Sequence, residues 1–347
     1  MKKKVSRIQQ GLACSALALA CVLSGCSTEK PDTDQTANKP ANTSAAYPQE
    51  YDSCGTKVVL DKRPEKIIAA GRMGVANLVA AGGADRMIGR YAEHGAEQSP
   101  EVEAAVKDIK QLESSTGEGH AGLSFEAILK LQPDMIYGEG IGFDDYEVSN
   151  LEKYKIKGIM PKSACVYITN VDEVDRADLK GITENIRELG KLIDSETTAN
   201  QNADKLEQEL KEAEEAGKDL KEMTVAGLYY WDASDDLFAY GANSTLQGIF
   251  NIAKLKNVVD PKYDAMMNGA IQPEAIIAAN PEVIVITTGE GGITFEDSIS
   301  RLKKIPGMDK VDAVKNNRII ELPSGAAYPI ADAIHAAKTT VNARQDF

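Results

Sequence analysis

Two stretches of this 347-residue sequence share one pattern, and the second follows the first by 148 residues. The first is LSFEAILKLQPDMIYGEG at 123–140, and the second is IQPEAIIAANPEVIVI at 271–286. In each stretch an acid, Glu126 or Glu274, opens an apolar helical pattern that a proline ends, and an apolar strand pattern follows. Internal similarity at this distance predicts two related lobes and argues against a solenoid.

The two acids have a simple structural explanation. Glu126 and Glu274 each lie in the first turn of a predicted helix, where the helix dipole favours a negative charge. Helix capping therefore accounts for both carboxylates. Capping does not explain why the other predicted helix starts lack this acid-and-proline pattern. A second role for the two acids, outside the fold, is therefore the alternative.

Strand and helix patterns alternate on both sides of the long polar segment 194–220. Before it, KVVLDKRPEKIIAAG predicts two strands around a turn, and MGVANLVAAGGADRMIG predicts a helix followed by a strand. After it, MTVAGLYYW predicts a strand, STLQGIFNIAKL a helix, RIIELP a final strand and PIADAIHAAKTTVNA a closing helix. Such alternation predicts an α/β fold with mainly parallel sheets.

Residues 194–220 give the longest uninterrupted helical signal. Their apolar positions form a narrow seam on a charged helix: Ala199, Ala203, Leu206, Leu210 and Ala213. A coiled coil is the alternative, but the short, alanine-rich seam favours contact with two lobes of the same chain. The expected organisation is an N-terminal lobe at 51–193, a connecting helix at 194–220 and a C-terminal lobe at 221–347.

The first residues predict export. Residues 1–25 combine a basic leader with an apolar run that is short for a membrane span, which is typical of a signal peptide. The run ends in LSGC, which resembles a lipobox and makes Cys26 the expected lipidated residue. Residues 26–50 are polar and aperiodic and predict a disordered tether. The folded part is thus expected outside the cytoplasm, anchored to the cell membrane.

Charge and cysteine content narrow the function classes. The formal net charge of −14 argues against nucleic acid as a partner. Of the five cysteines, Cys14 and Cys21 leave with the signal peptide and Cys26 takes the lipid. The remaining pair, Cys54 and Cys165, favours a disulfide in an exported protein, and two separate buried thiols are the alternative.

These features together resemble a known family. PEKIIAAGRMGVANLVAAGGADRMIGRY, SFEAILKLQPDMIYG, NIRELGKLI, PEAIIAANPEVIVI and IPGMDKVDAVKNNRIIELP are similar to motifs of the solute-binding lipoproteins that serve ABC importers of siderophores, haem and cobalamin. The resemblance covers essentially the whole mature chain. It implies two Rossmann-like lobes joined by one long rigid α-helix, the class III periplasmic-binding-protein fold, in a monomer whose partners are an ABC permease and its ATPase.

The resemblance also gives the repeated acids a second role. In the family, one glutamate on an outer helix of each lobe docks onto arginines of the permease. Glu126 in SFEAI and Glu274 in PEAI stand in the matching motifs. Two separated surface carboxylates are suited to orienting a protein on a basic partner.

Ligands of two-lobed α/β receptors lie in the cleft, against loops that follow the strands. The residues that follow predicted strands are Arg72, Met73, Tyr91, His94, His120, Phe143, Tyr230, Trp231, Tyr240, Met267, Glu290 and Tyr328. Part of this set is expected to be rim or core, and alternation along LYYWD predicts that either Tyr229 or Tyr230 points into the core. Arg72 is expected to pair with oxygens of an anionic iron chelate, with a salt bridge inside the protein as the alternative.

An iron(III) chelate, a ferric siderophore, is the expected ligand, and no intrinsic cofactor or metal site is expected. Three histidines are too few for a typical zinc or manganese receptor. Haem and cobalamin are the alternatives, since tyrosine, histidine or methionine can ligate iron and aromatic contacts suit a corrinoid.

The sequence carries no GxSxG, HExxH, GxxxxGK[ST] or paired catalytic carboxylate motif. A receptor is therefore expected rather than an enzyme. An exported enzyme or a surface sensor on the same fold is the remaining alternative.

Overall fold

The computed structural model of the chain describes residues 46–93, 97–112, 123–142, 146–165, 175–289 and 291–347. The predicted signal peptide, Cys26 and almost all of the predicted tether lie outside these residues. The described part forms two α/β lobes, each built on its own sheet, with a long helix between them.

The first lobe contains a hairpin and a four-stranded parallel sheet in the order β4-β3-β5-β6. Its strands are β1 (Gln49–Ser53) and β2 (Thr56–Leu60) in the hairpin, then β3 (Ile67–Ala70), β4 (Met87–Tyr91), β5 (Met135–Gly138) and β6 (Lys157–Ile159). Its helices are α1 (Gly71–Ala80), α2 (Pro100–Val106), α3 (Phe125–Leu131), α4 (Val148–Lys153) and α5 (Lys180–Leu192).

The second lobe follows helix α6 (Glu196–Gly217). Its strands are β7 (Met223–Tyr229), β8 (Phe238–Ala239), β9 (Leu255–Asn257), β10 (Val283–Thr288) and β11 (Ile319–Pro323). Its helices are α7 (Thr245–Ile252), α8 (Ala265–Asn268), α9 (Pro273–Ala279), α10 (Phe295–Lys304), α11 (Asp312–Lys315) and α12 (Ala331–Gln345). The strand order is β11-β10-β7-β8 with β9 also paired to β7, and only β8 runs antiparallel to its neighbour.

The sequence repeat is also a structural repeat. Helices α3 and α9 have seven residues each and end at Gln132 and Asn280, which both adopt the left-handed conformation. The next acid in each copy holds the neighbouring strand. Asp134 accepts the backbone N–H of Lys66 at 2.7 Å, just before β3, and Glu282 accepts the N–H of Thr224 in β7 at 2.9 Å.

Helix α6 joins the two lobes. All five residues of the predicted apolar seam are buried. One part of α6 lies against α1 and α5 of the first lobe, and another lies against α7 and α12 of the second. The structure thus has the two-lobed fold with one connecting helix that the alternating pattern and the resemblance predicted.

The second sheet separates two apolar clusters. Val283 and Val285 of β10 face the larger cluster, which also includes the first sheet, α6 and α12. Ile284 and Ile286 face a smaller cluster with α9 and α10 on the opposite side. Because side chains alternate along a strand, the continuous apolar run of β10 is explained by burial on both faces.

The two predicted disulfide cysteines lie together. The Sγ atoms of Cys54, in the turn between β1 and β2, and Cys165, just after the 3₁₀ turn Lys162–Ala164, are 2.14 Å apart. The bond therefore joins the hairpin to the segment that follows β6. Within the described ranges, no helix combines the length and apolarity needed to cross a bilayer.

Candidate functional site

The carboxyl-end loops of the two sheets meet at one place. The backbone N–H of Glu97, in the loop after β4, donates a hydrogen bond of 2.8 Å to the carbonyl of Gly289, which directly follows β10. The loops at the carboxyl ends of the two sheets are therefore in contact, and open α/β folds bind their ligands at such strand ends.

Arg72 lies at this junction, in the first turn of α1, the helix that follows β3. Its side chain is only 3% exposed, and its guanidinium carbon lies 5.0 Å from the ring centroid of Tyr328 in the second lobe. All three guanidinium nitrogens lack a hydrogen-bond partner among the described residues. Buried charged groups are nearly always paired, because an unpaired one costs solvation energy. Arg72 is therefore a buried cation whose donors meet no acceptor among the described residues.

A buried carboxylate lies on the second-lobe side of the same junction. Asp332, at the start of α12, has its pKa raised by burial, while His335 and Arg72 act in the opposite direction. The nearby Ser99 hydroxyl of the first lobe also acts to lower the pKa of Asp332. Asp332 thus lies near Arg72 and Ser99 of the first lobe and partly balances the charge of Arg72.

Glu139, just after β5, shapes the start of α1. Its Oε1 accepts the backbone N–H of Met73 at 2.9 Å. Gly71 has a φ of 71°, and a Cβ at this position would lie 2.6 Å from the Glu139 carboxyl carbon. The glycine therefore allows the carboxylate to cap the helix. The Met73 side chain, predicted to bind ligand, is buried in the larger apolar cluster.

A row of three aromatic rings lies at the carboxyl end of β7. The ring centroid of Tyr229 is 5.3 Å from that of Phe238 and 4.7 Å from that of Tyr240. The Tyr240 hydroxyl and the Thr287 hydroxyl of β10 are 2.9 Å apart. All three rings are half-buried, so the row can offer a partly exposed aromatic surface.

The structure separates the two neighbouring tyrosines of LYYWD. Tyr230 is 3% exposed and belongs to the smaller apolar cluster, where Arg301 lies 5.3 Å from its ring centroid. Burial raises the pKa of its hydroxyl to about 12. Trp231 is 38% exposed, at the end of the strand. Tyr229, rather than Tyr230, therefore belongs to the ring row.

Tyr91 lies inside the first lobe. Its ring is buried, with its centroid 6.3 Å from that of Tyr146. Burial, together with the nearby Tyr146 hydroxyl to which it is hydrogen-bonded, raises the pKa of Tyr91 well above its usual value. This position makes Tyr91 a core residue.

The other predicted ligand contacts fall outside the described residues: His94, His120, Phe143, Glu290 and the side chain of Met267. In the ranges that the structure does describe, no three His, Cys, Asp or Glu side chains are grouped to hold a metal ion.

The repeated acids are both exposed. The Glu126 side chain is 79% exposed, and its carboxylate lies 2.8 Å from Nζ of Lys130, whose hydrogen bond lowers the pKa of Glu126. In α3 the N-terminal cap is Ser124, whose Oγ accepts the backbone N–H of Ala127 at 3.2 Å. Glu274 is exposed in the first turn of α9, which has no side-chain cap.

Sequence reasoning missed several residues of the junction. Ser99 and Asp332 were not selected because each occupies an ordinary position at a helix start. Phe238 and Thr287 were not selected because they lie within short or apolar strands. The only sequence signal of these residues is their position at a strand end or a helix start. Many other residues of this sequence occupy such positions.

The described residues form two α/β lobes that meet at the carboxyl ends of their sheets. The sequence profile of the Periplasmic binding protein family matches residues 58–326, and the chain belongs to this family. The expected class, inferred above from sequence motifs, is thereby confirmed. A search of curated protein sequences gives no match.

Solved structures share the fold at low sequence identity. An ABC-type Fe³⁺-hydroxamate transport system protein from Saccharomonospora viridis DSM 43017 is 23% identical, with a TM-score of 0.66 over 86% of this chain and 99% of the other. The haem-binding protein HmuT is 18% identical, with a TM-score of 0.64 over 90% and 95% of the two chains. The periplasmic vitamin B12-binding protein of Vibrio cholerae is 14% identical, with a TM-score of 0.60 over 82% and 97%.

Proposed function

We propose that this chain is a lipid-anchored receptor outside the cytoplasm, which binds a ferric siderophore between its lobes and delivers it to an ABC permease. Membership of the Periplasmic binding protein family supports a receptor rather than an enzyme. The single observation that carries the ligand class is Arg72, a buried cation at the interlobe junction without a hydrogen-bond partner among the described residues.

The chemistry of Arg72 suits an anionic iron chelate. Hydroxamate, catecholate and carboxylate groups present paired oxygens that a guanidinium can bind with two parallel hydrogen bonds. The protein itself buries the guanidinium, so much of its desolvation cost falls on folding rather than on binding. An incoming anion restores the missing hydrogen bonds in a low-dielectric environment, where they are strong.

The aromatic row supplies the second half of the site. Tyr229, Phe238 and Tyr240 form a row of half-buried rings at the carboxyl end of β7, and Trp231 follows Tyr229 by two residues. Flat apolar surfaces of this kind suit a large ligand with a partly planar outline. Haem is the second candidate, because it combines a planar ring with carboxylates that Arg72 could bind. Cobalamin is the third candidate ligand, and of the three it has the least need of a cation such as Arg72.

Two features support delivery of the ligand to a permease: the exposed acids of the two lobes and the N-terminal segment. Glu126 and Glu274, one on each lobe, are exposed and suited to meeting arginines of a permease. A lipid on Cys26 and the polar segment 26–50 would keep the receptor close to the membrane that carries its partner. In this proposal the chain acts as a monomer.

A thermal-shift screen tests the ligand class. Ferric siderophores of the hydroxamate and catecholate types, haem and cyanocobalamin are each added in excess to the purified mature chain. A ligand that binds only the folded state raises the melting temperature. We expect a ferric siderophore to raise it and the iron-free siderophore to raise it less. No shift with any of the three classes contradicts the proposal.

A further inference from the structure

The segment between β7 and β8 carries the sole tryptophan of the chain on an exposed loop. Residues 231–236, which we call the Trp231 loop, are all exposed, whereas Tyr230 before them and Leu237 after them are buried in the smaller apolar cluster. An exposed loop buries little apolar surface that could hold it in one conformation. Polar contacts therefore have to fix the position of Trp231.

Arg301 of α10 donates hydrogen bonds to the backbone of the Trp231 loop. Its Nη1 donates to the carbonyl of Asp232 at 2.6 Å and to the carbonyl of Ser234 at 2.7 Å. Its guanidinium carbon also lies 5.3 Å from the ring centroid of Tyr230, directly before the loop. Hydrogen bonds from a charged donor are stronger than those from a neutral one. Arg301 thus connects the loop to a helix that packs against β10.

The loop also has hydrogen bonds of its own. Asp232 Oδ1 accepts the backbone N–H of Ser234 at 2.7 Å, and Ser234 Oγ accepts the N–H of Asp236 at 3.3 Å. These two bonds join residues of the loop to one another and leave the loop unattached to the rest of the second lobe. The attachment comes from Arg301, so the loss of this side chain should free the loop.

The Trp231 loop lies against the residues that follow β10. Gly291 has a φ of 60°, and a Cβ at this position would lie 2.2 Å from the carbonyl oxygen of Trp231. Two residues earlier, the carbonyl of Gly289 accepts the N–H of Glu97 from the first lobe at 2.8 Å. The backbone of Trp231 is therefore packed beside the contact between the two lobes.

We propose that Arg301 is a positioning residue of the ligand site, which holds the Trp231 loop so that the exposed indole meets the ligand from one fixed place. The indole is 38% exposed, and tryptophan offers a large, rigid contact surface. A contact surface that is fixed before binding loses little conformational entropy when the ligand arrives. This inference rests on the proposed function, because it assumes a ligand between the lobes.

The first test measures acrylamide quenching and fluorescence anisotropy of Trp231 in the purified mature chain without ligand. Arg301→Met removes both hydrogen bonds to the loop, and it is expected to raise the quenching constant about twofold and to lower the anisotropy. Lys304→Met is the control, because it removes an exposed charge from the last turn of the same helix and is expected to change neither quantity. Equal quenching in the two variants would overturn the positioning role.

A second pair of variants displaces the loop while Arg301 is kept. Gly291→Ala and Gly292→Ala both add a Cβ at a left-handed residue, with φ of 60° and 73°. The added Cβ meets the Trp231 carbonyl in the first variant and nothing within 4 Å in the second. Gly291→Ala is therefore expected to increase the quenching of Trp231 and to weaken ligand binding more than Gly292→Ala. Similar changes in both variants would contradict the placement of Trp231 beside the lobe contact, and the proposal with it.

The last test is ligand affinity by calorimetry, with whichever of the ferric siderophores, haem and cyanocobalamin the unmodified chain binds most tightly. Trp231→Ala and Arg301→Met are each expected to weaken binding about fivefold. The double variant should bind no more weakly than Trp231→Ala, because Arg301 acts through Trp231. A merely structural Arg301 would lower the melting temperature and leave affinity unchanged.

Two outcomes separate this inference from the function on which it rests. Unchanged affinity of Arg301→Met, or additive losses in the double variant, would overturn the positioning role while the receptor function stands. If the unmodified chain binds none of these ligands, the proposed function fails, and the positioning role falls with it.

Discussion

The guanidinium carbon of Arg72, in the first lobe, lies 5.0 Å from the ring centroid of Tyr328, in the second. This contact spans the junction between the lobes and leaves every donor of the guanidinium without a partner among the described residues. Most buried arginines in folded proteins satisfy several donors. The arrangement is explained if the missing acceptor belongs to a ligand.

Arg72→Met is expected to raise the stability of the chain without ligand by about 1 kcal/mol. The change replaces a buried cation that has no hydrogen-bond acceptor among the described residues with an apolar side chain of similar length. The measurement is the free energy of unfolding in urea. Arg86→Met is the matched control. Arg86 is equally buried, but it donates to Ser195 Oγ at 2.5 Å and to the carbonyl of Ile193, so its loss is expected to cost about 2 kcal/mol or more. A similar loss for both variants would mean that Arg72 has a structural role.

The disulfide is expected to stabilise the first lobe. Cys54 and Cys165 are separated by 111 residues, and the loop that they close contains the whole first sheet. In the chain-entropy model a loop of this size contributes about 4 kcal/mol or more. The double variant Cys54→Ala/Cys165→Ala should lose a large part of this stabilisation, measured as the free energy of unfolding in urea. Dithiothreitol should destabilise the unmodified chain to the level of the variant and leave the variant unchanged. Equal stability of the variant and the unmodified chain without reductant would contradict the prediction.

The close contact between α5 and the connecting helix α6 depends on Gly190. A Cβ at Gly190 of α5 would lie 2.1 Å from Cβ of Ala199 in α6, whereas one at Gly181 of the same helix meets nothing within 4 Å. Gly190→Ala is therefore expected to destabilise the protein by about 1–3 kcal/mol through overpacking. Gly181→Ala is expected to be neutral or to stabilise it by up to about 1 kcal/mol, because alanine favours the helix. Thermal unfolding measures the stability of the two variants. Similar losses of stability in both would show that the close approach of Gly190 to Ala199 does not cause the destabilisation.

The buried carboxyl of Asp332 makes stability depend on pH. Its pKa in the folded chain is raised, chiefly by burial, above that of an aspartate in the unfolded chain. The folded state thus holds this proton more tightly, so the contribution of Asp332 to stability is greatest below the unfolded pKa and falls as pH rises through the folded one. His335, Arg72 and Ser99 face the same carboxyl.

Asp332→Asn removes this titration. The variant is expected to be more stable than the unmodified chain at neutral pH, with a difference that shrinks as the pH falls through the aspartate range. Urea unfolding across that range measures the difference. A variant that is less stable at neutral pH would show that the charged form, held by Ser99 and attracted by Arg72, is the stabilising one.

Sequence patterns predicted the large elements well because their causes are local. The seam of α6 follows helical spacing, and the pair α3–β5 recurs as α9–β10 with the same proline stop. The short strands β8 and β9 were not predicted. Two or three residues carry too little periodicity, and their pairing with β7 is set by tertiary contacts.

The site was harder to predict for a physical reason. Position after a strand selected Arg72, Tyr240 and Tyr328 together with Tyr91 and Tyr230, which the structure buries in the cores. A one-residue difference in strand phase decides whether Tyr229 or Tyr230 faces the core, and the sequence does not fix that phase. Asp332 and Ser99 meet only because the two lobes come together, which local sequence does not encode.

The most direct test of this account is equilibrium binding of a ferric siderophore to the unmodified chain and to Arg72→Met, followed by fluorescence. Trp231 is the sole tryptophan and lies two residues after the end of β7, so it is expected to report binding near this strand end. We predict that the ferric siderophore quenches Trp231 in the unmodified chain. Arg72→Met, fully folded, should bind at least about tenfold more weakly, the effect of losing one charge-assisted hydrogen-bonded pair. Equal affinity of the two proteins would contradict the claim that Arg72 binds the ligand.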